Sequence, residues 1–147
     1  MTDASPTLAP VRPVPTVGVI CFRGSEVLLI RRGKPPRMGD WSIPGGRLEW
    51  NEAVKACALR ELKEETGVRA ELLGLVDVID GFFGDERHYV LIDYAARWLS
   101  GEPVAGDDAV EAGFVPVAEA IERVEWPKTK QVIKDAWQTY GRAAAGV

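Results

Sequence analysis

The stretch from Gly45 to Val68, GGRLEWNEAVKACALRELKEETGV, constrains this chain more than any other. It reads as a loop feeding a helix. Gly45-Gly46 makes a flexible turn, Asn51 is placed to cap the helix, and Glu52 and Ala53 suit its first turn. Val54, Ala58 and Leu62 recur at i, i+4 and i+8 with Cys57 beside them, forming one apolar stripe that must face a core. Gly67 stands where a glycine ends a helix.

The other face carries chemistry. Glu61, Glu64 and Glu65 lie at i, i+3 and i+4, so three carboxylates project from neighbouring points. Like charges at this spacing repel and weaken a helix unless something offsets them. Hard divalent cations want such oxygen ligands, and Mg²⁺ takes one or two carboxylates together with water and phosphate oxygens. Arg60 precedes Glu64 by four residues and can pin that carboxylate. An arbitrary E-x-x-E-E is more often a solvated acidic face, so the surrounding positions decide.

Those positions are specific. The run is Gly46, five residues, Glu52, seven residues, Arg60-Glu61-Leu62, one residue, Glu64-Glu65, one residue, Gly67-Val68. It resembles the signature of the Nudix hydrolases at every defined position. The likeness extends upstream through Leu28-Leu29-Ile30-Arg31-Arg32 and Trp41-Ser42-Ile43-Pro44-Gly45-Gly46. The resemblance implies metal-dependent cleavage of a nucleoside diphosphate linked to another moiety, with Mg²⁺ as the ion and Mn²⁺ as its substitute. It also implies a curved mixed sheet sandwiched between helices, with the box as a loop–helix–loop beside the sheet.

Composition bounds the rest. A chain of 147 residues with 46% hydrophobic content can bury one good core. A net charge of −4 argues against a general nucleic-acid or anionic-membrane binder, and makes local cations necessary for a polyanionic substrate. Cys21 and Cys57 both sit in apolar patterns and read as buried free thiols. No apolar run reaches membrane-spanning length and no signal pattern opens the chain, so a cytoplasmic location is expected.

In order, residues 1–13 are rich in Pro, Ser, Thr and Ala and read as a flexible leader to a single domain over 14–140. Val14–Phe22 and Glu26–Arg31 form a hairpin about Arg23-Gly24-Ser25. After the helix, Ala70–Ile79 reads as a strand with Gly74 at a bulge, and His88–Trp98 as a central strand. Ser100–Glu111 reads as a long acidic loop, Gly113–Val117 as a short strand, and 118–123 as a helix. A last helix runs from Pro127 to Tyr140, and 141–147 should fray. Hairpins without repeated βαβ units point to an α+β fold with a mixed sheet.

A pyrophosphate resists hydrolysis because its oxygens repel a nucleophile, so a catalyst must neutralise charge, orient a water and activate it. Glu61, Glu64 and Glu65 suit the first two tasks, and Glu64 or Glu61 the third. Arg60 orients these glutamates, Glu52 holds the loop, and Gly46 allows close backbone approach to a phosphate or metal. The resemblance implies a further acidic ligand from a loop beyond the box. Glu111 is the expected one, carried by a poorly anchored loop, with Asp107 as a bystander. Arg32 is the best placed cation for phosphate, ahead of Arg31, Lys34 and Arg37. Trp41, Phe82 and Phe83 are candidates to stack on a base, Phe82 ahead of Phe83, with one of the two phenylalanines left to core or homodimer packing. His88 reads as a rim residue. The substrate favoured by resemblance is an ADP-ribose-like nucleotide sugar, with a nucleoside triphosphate next. The alternatives are a nucleotide-sensing domain without catalysis and a non-hydrolytic member of the family. All box carboxylates are present, which counts against the sensor.

Overall fold

The computed structural model describes residues 11–146. The strands are β1 (Val14–Arg23), β2 (Glu26–Arg32), β3 (Trp41–Ser42), β4 (Gly45–Arg47), β5 (Arg69–Phe82), β6 (His88–Ser100) and β7 (Ala109–Pro116). The helices are α1 (Val54–Thr66), α2 (Val117–Arg123) and α3 (Pro127–Ala144).

One mixed sheet holds all seven strands, with a central path β3-β2-β1-β6-β5. β1 and β6 run parallel from Val14↔Tyr89 to Phe22↔Arg97, and β6 pairs antiparallel with β5. β1 and β2 stay paired only at their hairpin end, Phe22↔Val27 and Arg23↔Glu26. Beyond that, β1 turns to β4, while β2 takes β3 and β7. The sheet therefore splits between β1 and β2, and both strands line a cavity there.

Each face of the sheet is covered. Ile20, Phe22, Val27, Leu29 and Ala95 pack under α2 and α3 against Val132, Ile133 and Ala136. Val17, Val19, Cys21, Leu28 and Ala96 pack under α1 against Cys57, Ala58 and Leu62. A fully buried leucine such as Leu62 contributes about 1.5–3 kcal/mol, so the α1 stripe is a main anchor for the box helix. Cys21 and Cys57 are buried and free, and burial pushes both thiols up to about 12, out of the nucleophilic range.

Several boundaries differ from expectation. α1 starts at Val54, with Ala53 at the cap position making no side-chain capping bond. Asn51 lies outside the helix at φ 66°, and Glu52 precedes it too, because both belong to the turn that Arg60 ties down. Gly67 ends the helix in the left-handed conformation as expected, at φ 74°. β5 runs on through Asp80–Phe82, since β6 supplies partners as far as Phe82↔His88. The register of that pair slips between Leu72 and Gly74, and a Cβ at Gly74 would meet the Tyr140 hydroxyl at 2.3 Å. Tyr140 uses the space to donate to the Leu75 carbonyl. β7 begins at Ala109, because β2 offers an edge as far as Arg32↔Ala109. α3 continues to Ala144 with Gly141 and Ala144 buried, so fraying from Gly141 does not occur. Of the expected leader, residues 11–13 have no regular structure and residues 1–10 lie outside the described residues. Among the described residues no helix is long and apolar enough to cross a membrane.

Candidate active site

Two short backbone approaches build the site. A Cβ at Gly45 would stand 2.2 Å from the Val17 carbonyl, so only glycine lets β4 lie this close to β1. A Cβ at Gly46 would stand 2.1 Å from a Glu61 carboxylate oxygen, so the box loop and helix α1 meet with nothing between them. The Gly45 amide then donates to Glu65 Oε1 at 2.9 Å.

Arg60 is the hub of the box. Its Nε and Nη2 hold both oxygens of Glu52 at 2.6 and 2.9 Å. Its Nη1 reaches Glu61 Oε1 at 2.7 Å and Glu64 Oε1 at 3.0 Å. Glu52 in turn accepts from the Glu49 amide at 3.1 Å, which fastens the turn that carries Asn51. The guanidinium beside it holds the Glu52 carboxyl down to about 2. Glu52 and Arg60 thus tie the loop to the helix that carries Glu61 and Glu64.

The acidic face is not solvated. Glu61 and Glu65 are buried, and only Glu64 is open. Burial pushes the Glu61 carboxyl up, with Arg60 holding it back. Burial pushes Glu65 further, to about 7, against the Gly45 amide bond. Oxygens of Glu61, Glu64 and Asp107 lie within 4.8 Å of one another. Glu65 stands apart from this trio, committed to the backbone of Gly45.

Asp107 replaces Glu111 in the cluster. Glu111 lies within β7 opposite Arg31, and its Oε2 accepts from Arg31 Nη1 at 3.0 Å. The loop between β6 and β7 is also well anchored, contrary to expectation. The Val104 amide donates to the Thr66 carbonyl at 2.9 Å and the Gly106 amide to the Glu65 carbonyl at 2.8 Å. These carbonyls are the ones a helix C-terminus leaves without partners inside the helix. Asp107 follows Gly106 in a left-handed conformation, φ 50°.

Glu61 and Asp107 of the cluster line a cavity of about 470 Å³. Arg32 lines it and donates from Nε to the Pro36 carbonyl at 2.6 Å. Lys34 and Arg37 line the same rim, paired with Asp108 and Asp40. Trp41 lines it too, with the Arg123 guanidinium 4.9 Å from its ring centre. Phe82 does not: it is 67% exposed and stacks on His88 outside the cavity. Its neighbour Phe83 lines the cavity, tilted against Trp126 and Tyr89 at 5.3 and 6.0 Å. The β5–β6 turn sends consecutive phenylalanines to opposite sides, which residue type alone does not reveal.

Sequence reasoning missed Tyr89, Trp126 and Asp93 as lining residues. For Asp93 a signal existed: it is the single acid in the otherwise apolar run of β6. The carboxylate trio, the cradle at Gly46 and an all-oxygen donor set fit a hard divalent cation such as Mg²⁺ or Mn²⁺.

The family profile described as NUDIX domain matches residues 12–136. Over 105 residues the chain is 36% identical to the ADP-ribose pyrophosphatase of Methanocaldococcus jannaschii, covering 71% of this chain and 62% of that one. Over 75 residues it is 40% identical to the 8-oxo-dGTP diphosphatase of Proteus vulgaris, covering 50% of this chain and 66% of that one. The chain thus spans about two thirds of the length of each of these relatives or slightly less. The crystal structure of a MutT NUDIX hydrolase from Burkholderia pseudomallei superimposes with a TM-score of 0.73 at 28% identity, covering 84% of this chain and 98% of that one.

Proposed function

The chain belongs to the Nudix hydrolase family, and from that premise we propose that it hydrolyses the pyrophosphate bond of an ADP-ribose-like nucleotide sugar with a divalent cation held by Glu61, Glu64 and Asp107. One observation carries the reading: three carboxylates from two distant segments converge within 4.8 Å, and two of them, Glu61 and Asp107, line a cavity that Trp41, Phe83, Tyr89 and Trp126 line as well. A nucleotide joined through a diphosphate has the matching chemistry, anionic phosphates for a bound cation and a flat base for aromatic rings. The name of the Methanocaldococcus relative supports the nucleotide sugar, and that of the Proteus relative makes a nucleoside triphosphate the second choice.

A divalent cation bound there neutralises phosphate charge and makes water more acidic. The chain's residues do the rest. Arg32, beside Glu65 at the cavity wall, meets phosphate oxygens. Arg60 locks Glu61 and Glu64 in one geometry before substrate arrives, which removes a reorganisation cost from the reaction. Glu64, the open member of the box glutamates, takes the proton of the attacking water. Phe83 and Trp126 offer faces to the base.

Turnover against a panel of nucleotide sugars and nucleoside triphosphates, with Mg²⁺ and with excess chelator, tests the proposal. ADP-ribose should be cleaved with Mg²⁺ and spared in chelator. Unchanged hydrolysis in chelator would overturn the metal assignment, and a triphosphate cleaved in preference would overturn the substrate.

A further inference from the structure

The β2–β3 loop, residues 33–40, folds back on the cation that precedes it. The Arg32 amide donates to the Asp40 carbonyl and the Gly39 amide to the Arg32 carbonyl, each at 2.8 Å. Arg32 Nε reaches the Pro36 carbonyl inside the same loop. The loop also meets the acidic turn. The Gly33 amide donates to the Asp108 carbonyl at 2.9 Å, and a Cβ at Gly33 would stand 2.8 Å from that oxygen. The loop therefore adjoins both Arg32, the cation for phosphate, and the turn that brings Asp107 to Glu61 and Glu64. A group carried by the diphosphate on this side meets the loop, where Lys34, Arg37 and Asp40 line the cavity.

Charge decides what that group is. Lys34 pairs with Asp108 and Arg37 with Asp40, both at 2.7 Å. The loop's cations are thus neutralised, while Arg32 pairs with no carboxylate among the described residues. A third phosphate would have to draw a cation off its acid and leave that acid facing the new anion, where like charges repel. A sugar needs no such exchange. Its hydroxyls donate and accept, and an ion pair offers an acceptor and a donor side by side. The Arg37–Asp40 pair is the more enclosed of the two, its side chains 34% and 20% exposed against 67% and 42% for Lys34 and Asp108. Arg37 stands at φ 59°, a left-handed conformation that a non-glycine residue keeps only where its surroundings impose it. We propose that the Arg37–Asp40 pair is the subsite for the sugar beyond the diphosphate, selecting a neutral polyhydroxyl group over a further phosphate. This rests on the nucleotide-sugar reading of the cavity and deepens it. Asp40 accepts hydrogen bonds from the sugar hydroxyls, Arg37 donates to their oxygens, and neither has to leave its partner.

The test uses the full chain with Mg²⁺ and two substrates that share ADP and differ in what its second phosphate carries, ADP-ribose and ATP. The wild type should favour ADP-ribose in kcat/KM. Asp40→Asn weakens the acceptor and unpairs Arg37, so kcat/KM should fall about tenfold for ADP-ribose and rise for ATP, the worth of one hydrogen bond to a charged group. Arg37→Gln removes the donor and should raise KM for ADP-ribose by a similar factor with kcat unchanged, as loss of a contact made equally before and during reaction does. A ratio of ADP-ribose to ATP efficiency that Asp40→Asn leaves unchanged overturns the subsite, because a loop that only holds Arg32 in place serves both substrates alike. A loss for ADP-ribose in kcat alone, in both variants, overturns it as well. A wild type that favours ATP overturns the nucleotide-sugar reading itself, and one that cleaves neither overturns the activity proposed above.

Discussion

The Gly106 amide donates to the carbonyl of Glu65, 2.8 Å away, and this one bond brings the β6–β7 loop to the end of the box helix. A Cβ at Gly106 would stand 2.7 Å from the Glu64 carbonyl, so the approach itself requires glycine. The next residue, Asp107, thereby joins Glu61 and Glu64.

Loss of the Asp107 carboxylate should therefore matter and loss of Glu111 should not. Asp107→Asn is expected to lower kcat/KM roughly 10–100-fold and weaken Mg²⁺ binding, the range typical when support around a metal is removed. Glu111→Gln breaks only a half-exposed ion pair with Arg31 and should stay near wild type. Steady-state kinetics with a Mg²⁺ titration checks both, and the reverse pattern would restore Glu111 as the outer ligand.

Gly46→Ala puts a methyl group 2.1 Å from the Glu61 carboxylate, so that side chain must move. Displacement of a catalytic group by about an ångström costs roughly a hundredfold in rate. Activity should fall by that order while the circular dichroism spectrum is unchanged. Wild-type turnover would mean that Glu61 has no fixed role.

The two phenylalanines separate by position. Phe83→Ala should raise KM or Kd for a nucleotide about tenfold, since stacking contributes about 1–3 kcal/mol per base. Phe82→Ala should leave both unchanged, because that ring stacks on His88 outside the cavity. Equal effects would move the base away from Phe83.

Asp93 gives a pH signature in the free protein. Its folded carboxyl titrates at about 7, above the ordinary 3.8. The folded state thus binds more protons than the unfolded one between these values, and the contribution to stability falls as pH rises through that window. Asp93→Asn does not titrate, so its advantage over the wild type should grow from about pH 4 to about pH 7 and then level off, reaching about 2–4 kcal/mol. Urea denaturation of both proteins across that range measures it. A pH-independent difference would show that the carboxyl titrates normally.

The box chemistry is legible because its contacts are local. Arg60 reaches Glu64 one helical turn on, and spacing alone implies that contact, while its bonds to adjacent Glu61 and to Glu52 across the turn depend on the loop's course. The helix cap was less legible. Asn51 has the right residue type, but the bonds from Arg60 to Glu52 and from Glu49 to Glu52 compete for the turn and start the helix later, at Val54.

What the sequence by itself determined is the family, carried by the spacing of the box, and the apolar stripe of α1 and most elements in chain order, carried by short-range periodicity. What only the tertiary structure decided is which distant groups meet them. Asp107 rather than Glu111 joins the glutamates because α1 ends in free carbonyls that capture Val104 and Gly106, while β2 draws Glu111 into a strand. Phe83 rather than Phe82 faces the cavity because of the turn between β5 and β6, and Asp93 faces it because Gly18 leaves room on β1. Backbone capture and close approach act between segments far apart in the chain, and no pattern of residue types within either segment encodes the meeting.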